Sequence, residues 1–379
     1  MAPSCGAIFR NTAGGDPFRR HGQLYSEVTD LHPLAKFLLT ISIGGLGGWT
    51  MWHFHMPLAW LLGAMIFCGA GALLRLPLSM PRFARPPMTA MIGAMLGTSF
   101  SPSVFEHFQV WIVSLCGLLF FIAAAASVAY VYFRKVGKFD HPTAFFSAMP
   151  GGLIEMVTLG AERGGDERMI SLIHASRIFL VVLSLPFLIQ LVTGHAISRG
   201  GASYVPLTEM ETIDFLWFLA AIAIGVTVGI VFRFPARYLL GPMIVSAALH
   251  LSGVSDFVLP SAFLAIAQIV IGAIVGCRFV NTEPRMIVRV IGLSVGSTML
   301  LLGISMGFSF LISRFTGDQF VGTMLAYSPG GVAEMSLIAL SLGIEVPFVV
   351  FHHIVRVLLV VAGSAAVFRL RIDPFKRDE

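Results

Sequence analysis

The amino-acid sequence predicts an all-α polytopic membrane protein that is built from two homologous repeats. Of its 379 residues, 56% are hydrophobic and only 12% are charged, whereas soluble domains carry about 25% charged residues. Apolar stretches of roughly 20 residues, each long enough to cross a bilayer as a helix, recur along the whole chain. The alternating segments of about 10 residues that a transmembrane β-barrel requires are absent.

The apolar stretches differ in length, and some are interrupted. Long stretches lie at 34–52, 57–74, 109–133, 169–192, 214–232, 287–312 and 347–368. Shorter or broken stretches lie at 86–100, 142–161, 237–251, 260–280 and 319–343. The sequence therefore predicts about 10–12 hydrophobic segments, some of them broken helices.

The clearest repeat is a Pro-Gly-Gly motif that occurs in two of the broken segments. Pro150-Gly151-Gly152-Leu153-Ile154-Glu155-Met156 returns 179 residues later as Pro329-Gly330-Gly331-Val332-Ala333-Glu334-Met335. The same shift, without a gap, carries His174 onto His353 and Arg177 onto Arg356. A helix that contains His-x-x-Arg therefore follows each motif.

Weaker parallels extend the duplication over the rest of the chain. The segment 60–66 parallels 238–244, and 92–97 parallels 271–276. These pairs place a first membrane repeat at 31–193, a linker at 194–212 and a second membrane repeat at 213–371. The remaining residues, 1–30 and 372–379, are expected to be cytoplasmic tails, the first of them disordered.

The positions of Lys and Arg predict how the chain crosses the membrane, since both are enriched in cytoplasmic loops. In the first half they cluster in the N-terminal tail and after the second and fourth segments. In the second half they cluster after the first and third segments and in the C-terminal tail. Both patterns fit if each Pro-Gly-Gly segment enters and leaves on one side. Each half then makes five crossings, the second half is inverted, and both tails are cytoplasmic. Twelve full crossings with parallel halves are the alternative.

The repeated motif is typical of a transport site. Pro and Gly interrupt the helical hydrogen bonds, and irregular backbone is tolerated at membrane depth only inside protein or beside a wet cavity. A half-helix that begins after the break points its amide groups at the break, which favours an anion. The predicted substrate-binding or ion-binding residues are Pro150, Gly151, Gly152, Glu155, His174, Arg177, Pro329, Gly330, Gly331, Glu334, His353 and Arg356.

Arg177 and Arg356 lie inside apolar helices, where an unpaired charge is costly. We therefore expect each arginine to contact Glu155 or Glu334. Two interpretations stay open at this point. The cluster is either a solute site with a titrating Glu or His, or a buried ion-pair network that holds the repeats together.

The duplicated PGG-x-x-EM motif followed by H-x-x-R resembles the membrane AbrB family of bacterial inner-membrane proteins. The Leu-Leu-Gly segments and the Ile-Gly-x-x-x-Gly segments also match that family's duplicated pattern, and the resemblance covers about 35–370. It implies a bacterial inner-membrane location and a link to the regulation of gene expression. One departure is Met149, which precedes the first motif where Ser328 precedes the second.

We expect a secondary transporter of a small solute, an anion being one candidate, coupled to protons or sodium. The alternative is an AbrB-like membrane protein that affects gene expression indirectly, since no basic soluble module is present to bind nucleic acid. The expected partners are the lipid bilayer, the solute and the coupling ion.

Other function classes lack the motifs that they require. A monooxygenase would need a dense metal site, and an ATP-driven pump would need a Walker motif. We therefore expect neither an enzyme nor a cofactor nor a metal. Cys5, Cys68, Cys116 and Cys277 are scattered, which favours packing roles over disulfides.

Overall fold

The computed structural model is helical throughout the residues that it describes, which are 32–105, 108–194, 211–258, 260–317 and 320–369. These ranges contain 14 α-helices and no β-strand. Helices α1–α7 lie at Pro33–His53, Ala59–Leu73, Arg85–Gly97, Phe108–Lys135, His141–Ala148, Leu153–Glu162 and Glu167–Thr193. Helices α8–α14 lie at Thr212–Val231, Arg237–Leu251, Ser261–Gly276, Pro284–Thr316, Phe320–Tyr327, Val332–Ser341 and Val346–Arg369. The expected tails and most of the expected linker lie outside the described residues.

Seven of the helices are long and apolar enough to cross a membrane. They are α1, α4, α7, α8, α10, α11 and α14. Their outer faces carry large apolar side chains that are exposed among the described residues, such as Phe120, Leu191 and Phe315, which are 70%, 80% and 75% exposed. Side chains of this kind are stable facing lipid. The prediction of an all-helical, multi-pass membrane protein is confirmed.

The two halves contain helices in the same order and of similar length. Helices α1 and α8 have 21 and 20 residues, and α2 and α9 have 15 each. The short helices pair in the same way, with 8 residues in α5 and α12 and 10 in α6 and α13. Each helix of the first half thus has a counterpart seven helices later.

The helices pack as two groups, and each half contributes to both. Helices α1–α3 pack with α8–α10, and we call this group the first bundle. Helices α4–α7 pack with α11–α14, and we call this group the second bundle. The two halves are therefore interleaved, and neither forms a separate body.

Glycines allow the closest contacts between the halves. A Cβ at Gly93 in α3 would overlap the carbonyl oxygen of Leu239 in α9, and a Cβ at Gly272 in α10 would overlap that of Leu61 in α2. These two contacts are equivalent under the sequence repeat. Small residues of this kind let helix backbones approach closely inside a membrane.

The contacts one turn further along, Gly97 with Met243 and Gly276 with Met65, advance in the same chain direction in both helices of each pair. Helices α2 and α10 therefore run parallel, as do α3 and α9.

Helices α3 and α10, which are counterparts, pack against each other in opposite directions. The two helices pack together, and Arg85 and Thr89 at the start of α3 line the same cavity as Val275 and Arg278 at the end of α10. The start of one helix therefore lies beside the end of the other. Inverted repeats require this antiparallel arrangement of counterpart helices.

Candidate functional site

Each Pro-Gly-Gly motif occupies an interruption between two short helices. Helix α5 ends at Ala148 and α6 begins at Leu153, while α12 ends at Tyr327 and α13 begins at Val332. Proline has no amide hydrogen and cannot continue the helical hydrogen bonds. No side chain caps the start of α6 or α13. Each break therefore presents the carbonyl end of one short helix and the amide end of the next.

The first break is held by Arg177 and His174 of α7. The Arg177 guanidinium donates hydrogen bonds to the carbonyl oxygens of Ser147 and Met149, at 3.2 and 2.7 Å, and to His174 Nδ1 at 2.8 Å. His174 Nε2 lies 2.9 Å from the carbonyl oxygen of Phe146. Because a guanidinium only donates and a carbonyl only accepts, these partners fix His174 as the neutral tautomer with its proton on Nε2.

The second break repeats this arrangement with Arg356 and His353 of α14. Arg356 donates to the carbonyl oxygens of Ser328 and Gly330, the latter at 2.8 Å, and to His353 Nδ1 at 2.9 Å. His353 Nε2 lies 3.0 Å from the carbonyl oxygen of Leu325. The duplicated His-x-x-Arg motif therefore binds backbone carbonyl groups at the end of each short helix and in the break that follows it.

These contacts correct the expectation that each arginine pairs with a motif glutamate. Among the described residues, neither Arg177 nor Arg356 forms an ion pair with Glu155 or Glu334; their recorded hydrogen-bond partners are backbone carbonyls and a histidine. The physical reason is the helix dipole, since the carbonyl end of a helix carries partial negative charge and accepts hydrogen bonds from a cation. Both arginines are 1% exposed and so have almost no contact with water. The carbonyl groups stabilise their charges instead.

The two breaks meet at one cavity of about 430 Å³. A Cβ at Gly151 of the first break would lie 3.5 Å from Nε of Arg356, which holds the second break. Ten of the twelve predicted site residues line the cavity, while Pro150 and His353 are absent from its lining. The residues in its wall are Gly151, Gly152, Glu155, His174, Arg177, Pro329, Gly330, Gly331, Glu334 and Arg356.

The cavity lies between the two bundles, and the first bundle contributes cations that the sequence did not identify as site residues. Arg82 and Arg85 line it from the start of α3, and Arg278 from the end of α10. In the sequence these residues indicated only membrane topology. Their position in the sequence next to the two repeated Ile-Gly-x-x-x-Gly segments is the feature from which these arginines could have been predicted as site residues. With them, five arginines and two glutamates line the cavity, an excess of three positive charges.

The family model described as "Transition state regulatory protein AbrB" matches residues 60–371. The chain belongs to the AbrB family. It is 28% identical over 360 residues to "Uncharacterized protein YhjN" of Bacillus subtilis (strain 168), covering 89% of this chain and 93% of the relative. It is 26% identical over 337 residues to "Putative regulator AbrB" of Escherichia coli (strain K12), covering 89% of this chain and 94% of the relative.

The two half-sites of this AbrB-family protein differ in conformation although their motifs match. Glu155 is exposed, whereas Glu334 is only 6% exposed. The glycine that precedes α6, Gly152, has φ 64° and ψ 52° in the left-handed region. Its counterpart Gly331 has φ −79° and ψ 152°, which is extended backbone. The two glutamates therefore differ in exposure and in the backbone that precedes them, although both line the cavity.

Proposed function

We propose that this protein is a secondary transporter of a small anionic solute, coupled to protons or sodium, with the solute bound in the cavity between the two breaks. The observation that carries the proposal is the composition of that cavity. Two helix breaks, five arginines and two glutamates line one space of about 430 Å³. Cavities of a few hundred Å³ are typical of small-molecule sites, and the excess of positive charge favours an anion.

The proposed transport mechanism is movement of the two bundles relative to each other around this cavity. Broken helices at the centre of inverted repeats are the usual site of substrate binding in secondary transporters. The antiparallel packing of α3 against α10 and the reciprocal contacts of Gly93 and Gly272 support inverted repeats. We place the protein in the bacterial inner membrane with both tails in the cytoplasm, as its pattern of Lys and Arg favours.

A metabolite screen in inverted membrane vesicles tests the proposal. Vesicles that contain the protein are incubated with pooled small metabolites under an imposed proton or sodium gradient, and their contents are compared with those of vesicles lacking it. The proposal expects the accumulation of at least one organic anion, abolished when the gradient is dissipated. Accumulation of only neutral or cationic solutes, or of none, would contradict it.

A second candidate function is an indirect effect on gene expression. The observation that favours it is the name of one relative, "Putative regulator AbrB". In this proposal, transcription responds to the solute that the protein moves. A strain in which Glu334→Gln replaces the native protein separates the two functions. A transcript profile that matches the deletion strain supports regulation through transport, whereas a wild-type profile despite lost transport would contradict it.

A further inference from the structure

We infer that Arg278 and Arg85 bind the solute together with the two breaks, that the solute is a dianion, and that it competes with the Glu334 carboxylate for Arg278. This inference rests on the proposed function insofar as it takes the cavity as the solute site. It names the class of solute and the residue at which coupling occurs.

Arg278 and Arg85 form a cationic pair on the first-bundle wall of the cavity. Both line it, their charges repel each other, and Arg278 is partly buried. Within the described ranges, neither guanidinium donates a hydrogen bond to a protein acceptor or pairs with a carboxylate at 4.0 Å or less. Two facing cations without acceptors create strong positive potential, which a bound anion would relieve.

Glu334 is a carboxylate in the same cavity as this pair. It lines the cavity and is 6% exposed, and its charge interacts with that of Arg278. No hydrogen bond or ion pair to its carboxylate is recorded in the part of the chain that the structure describes. A buried carboxylate without hydrogen-bond partners is costly, so hydrogen bonds do not hold Glu334 in place. A bound anion can therefore replace the Glu334 carboxylate as the negative charge that interacts with Arg278.

The opposite wall provides a second anion-binding surface. Nε of Arg177 and Nε of Arg356 are both buried and have no hydrogen-bond acceptor. The uncapped amide ends of α6 and α13 line the same cavity as these arginines. Because cationic groups lie on two opposing walls, an anion with two negative charges matches the cavity better than one with a single charge. Such an anion would also bridge the two bundles.

Glu334 shares the cavity with several arginines. Helix α13 packs against α3, α7, α12 and α14, and the arginines that these elements, α10 and the segment before α3 place in the cavity are Arg85, Arg177, Arg356, Arg278 and Arg82. The remaining titratable side chains of the lining are His174, Tyr238 and Glu155. Both ring nitrogens of His174 are engaged in hydrogen bonds. Replacing Glu334 by glutamine removes the competing charge without changing the arginines, so it should raise the affinity for a dianion.

Thermal unfolding of the purified, detergent-solubilised full chain tests the inference without a membrane gradient. The probes are sulfate and ethanedisulfonate, whose two charges do not change between pH 5.5 and 7.5, and methanesulfonate as the single-charge control at equal ionic strength. For the wild type we expect the dianions to raise the unfolding temperature more than methanesulfonate does. The inference is overturned if dianions and methanesulfonate stabilise equally.

Three variants and a control sharpen the test. Glu334→Gln should bind the dianions more tightly than the wild type does at the same pH. Arg278→Gln should weaken dianion binding at least tenfold, and Arg278→Lys, which keeps the charge, should bind more tightly than Arg278→Gln. The matched control is Arg285→Gln, an exposed arginine outside the cavity, which should behave as the wild type. A Glu334→Gln variant or an Arg278→Gln variant with wild-type affinity for the dianions would overturn the inference. If the binding results hold while vesicles transport no anion, the site stands and the proposed transport fails.

Discussion

Glu155 and Glu334 occupy the same position of one repeated motif, yet Glu155 is exposed and Glu334 is 6% exposed. The preceding glycines differ as well, with φ of 64° at Gly152 and −79° at Gly331. Since both segments begin Pro-Gly-Gly, each motif is compatible with both backbone conformations. In a transporter with inverted repeats, exchanging the conformations of the two halves would open the cavity to the other side.

The difference in exposure predicts opposite labelling of the two positions. In a variant whose four native cysteines are replaced by serine, Glu155→Cys should react with a membrane-impermeant thiol reagent from one side of the membrane only. Glu334→Cys should react more slowly and from the opposite side, because it becomes exposed only when the conformations exchange. Right-side-out and inverted vesicles provide the two orientations. Labelling of both positions from the same side would contradict the exchange.

Loss of Arg356 should destabilise the fold, since it donates to the carbonyl oxygens of Ser328 and Gly330 and to His353 Nδ1. The Ser328 oxygen keeps a second donor, the amide of Gly330, so two acceptors depend on the arginine. Each buried acceptor left without a donor costs about 1–3 kcal/mol, so Arg356→Gln should cost at least about 2 kcal/mol in a denaturant titration. Arg356→Lys should rescue little of this, because an ammonium cannot reproduce the planar set of donors.

Arg314→Gln is the matched control for this loss. Arg314 is exposed, and its recorded interaction is with the ring of Phe310, 5.2 Å away. Its replacement should change the unfolding free energy by about 1 kcal/mol or less. If Arg356→Gln were as mild as this control, the breaks would not depend on the arginine.

The reciprocal helix contacts predict equal effects at two distant positions in the sequence. Gly93→Ala and Gly272→Ala should each cost about 1–3 kcal/mol, because the new methyl group meets a backbone carbonyl that cannot move aside. Gly303→Ala should be neutral or slightly stabilising, since nothing lies within 4 Å of its Cβ position. Detergent denaturation curves measure all three. A large effect at Gly93 alone would argue against equivalent contacts.

Native cysteines allow a direct test of the same packing. Cys68 in α2 and Cys277 after α10 pack in the same small apolar cluster, so mild oxidation should join the two halves. The sequence repeat maps these residues onto Ser246 and Thr98. In a cysteine-free background, Thr98→Cys with Ser246→Cys should therefore cross-link as well. A protease site inserted in the linker makes cross-linking visible as an uncleaved band on a gel, and failure of the second pair alone would contradict the two-fold relationship.

Much of this architecture could be predicted from the sequence, because it depends on composition and repetition. The low content of charged residues indicates a helical membrane protein, and the two motifs indicate where helices are broken. The sequence also placed His174, Arg177 and their counterparts beside the breaks. It missed the partners of the arginines, because backbone carbonyls have no sequence signature and a carboxylate three residues after the glycines was a plausible ion pair.

The role of Arg85 and Arg278 could not be predicted for a different reason. Both lie near helix ends, where a basic residue usually indicates the cytoplasmic side of the membrane. Only the packing of α3 against α10 brings them to the same cavity as Glu334. Likewise, two identical Pro-Gly-Gly sequences give no indication that their backbones and glutamates differ in conformation.

Proton movement triggered by an anion tests the central claim most directly. Proteoliposomes that contain the purified protein and an internal pH-sensitive dye receive an external dicarboxylate, a monocarboxylate or phosphate in turn. We predict that at least one dianion causes proton entry with the wild type, and that Glu334→Gln, although folded and able to bind the anion, causes none. Absence of proton movement with every anion, or equal movement with Glu334→Gln, would contradict the claim that Glu334 couples protons to an anion bound between the two Pro-Gly-Gly breaks.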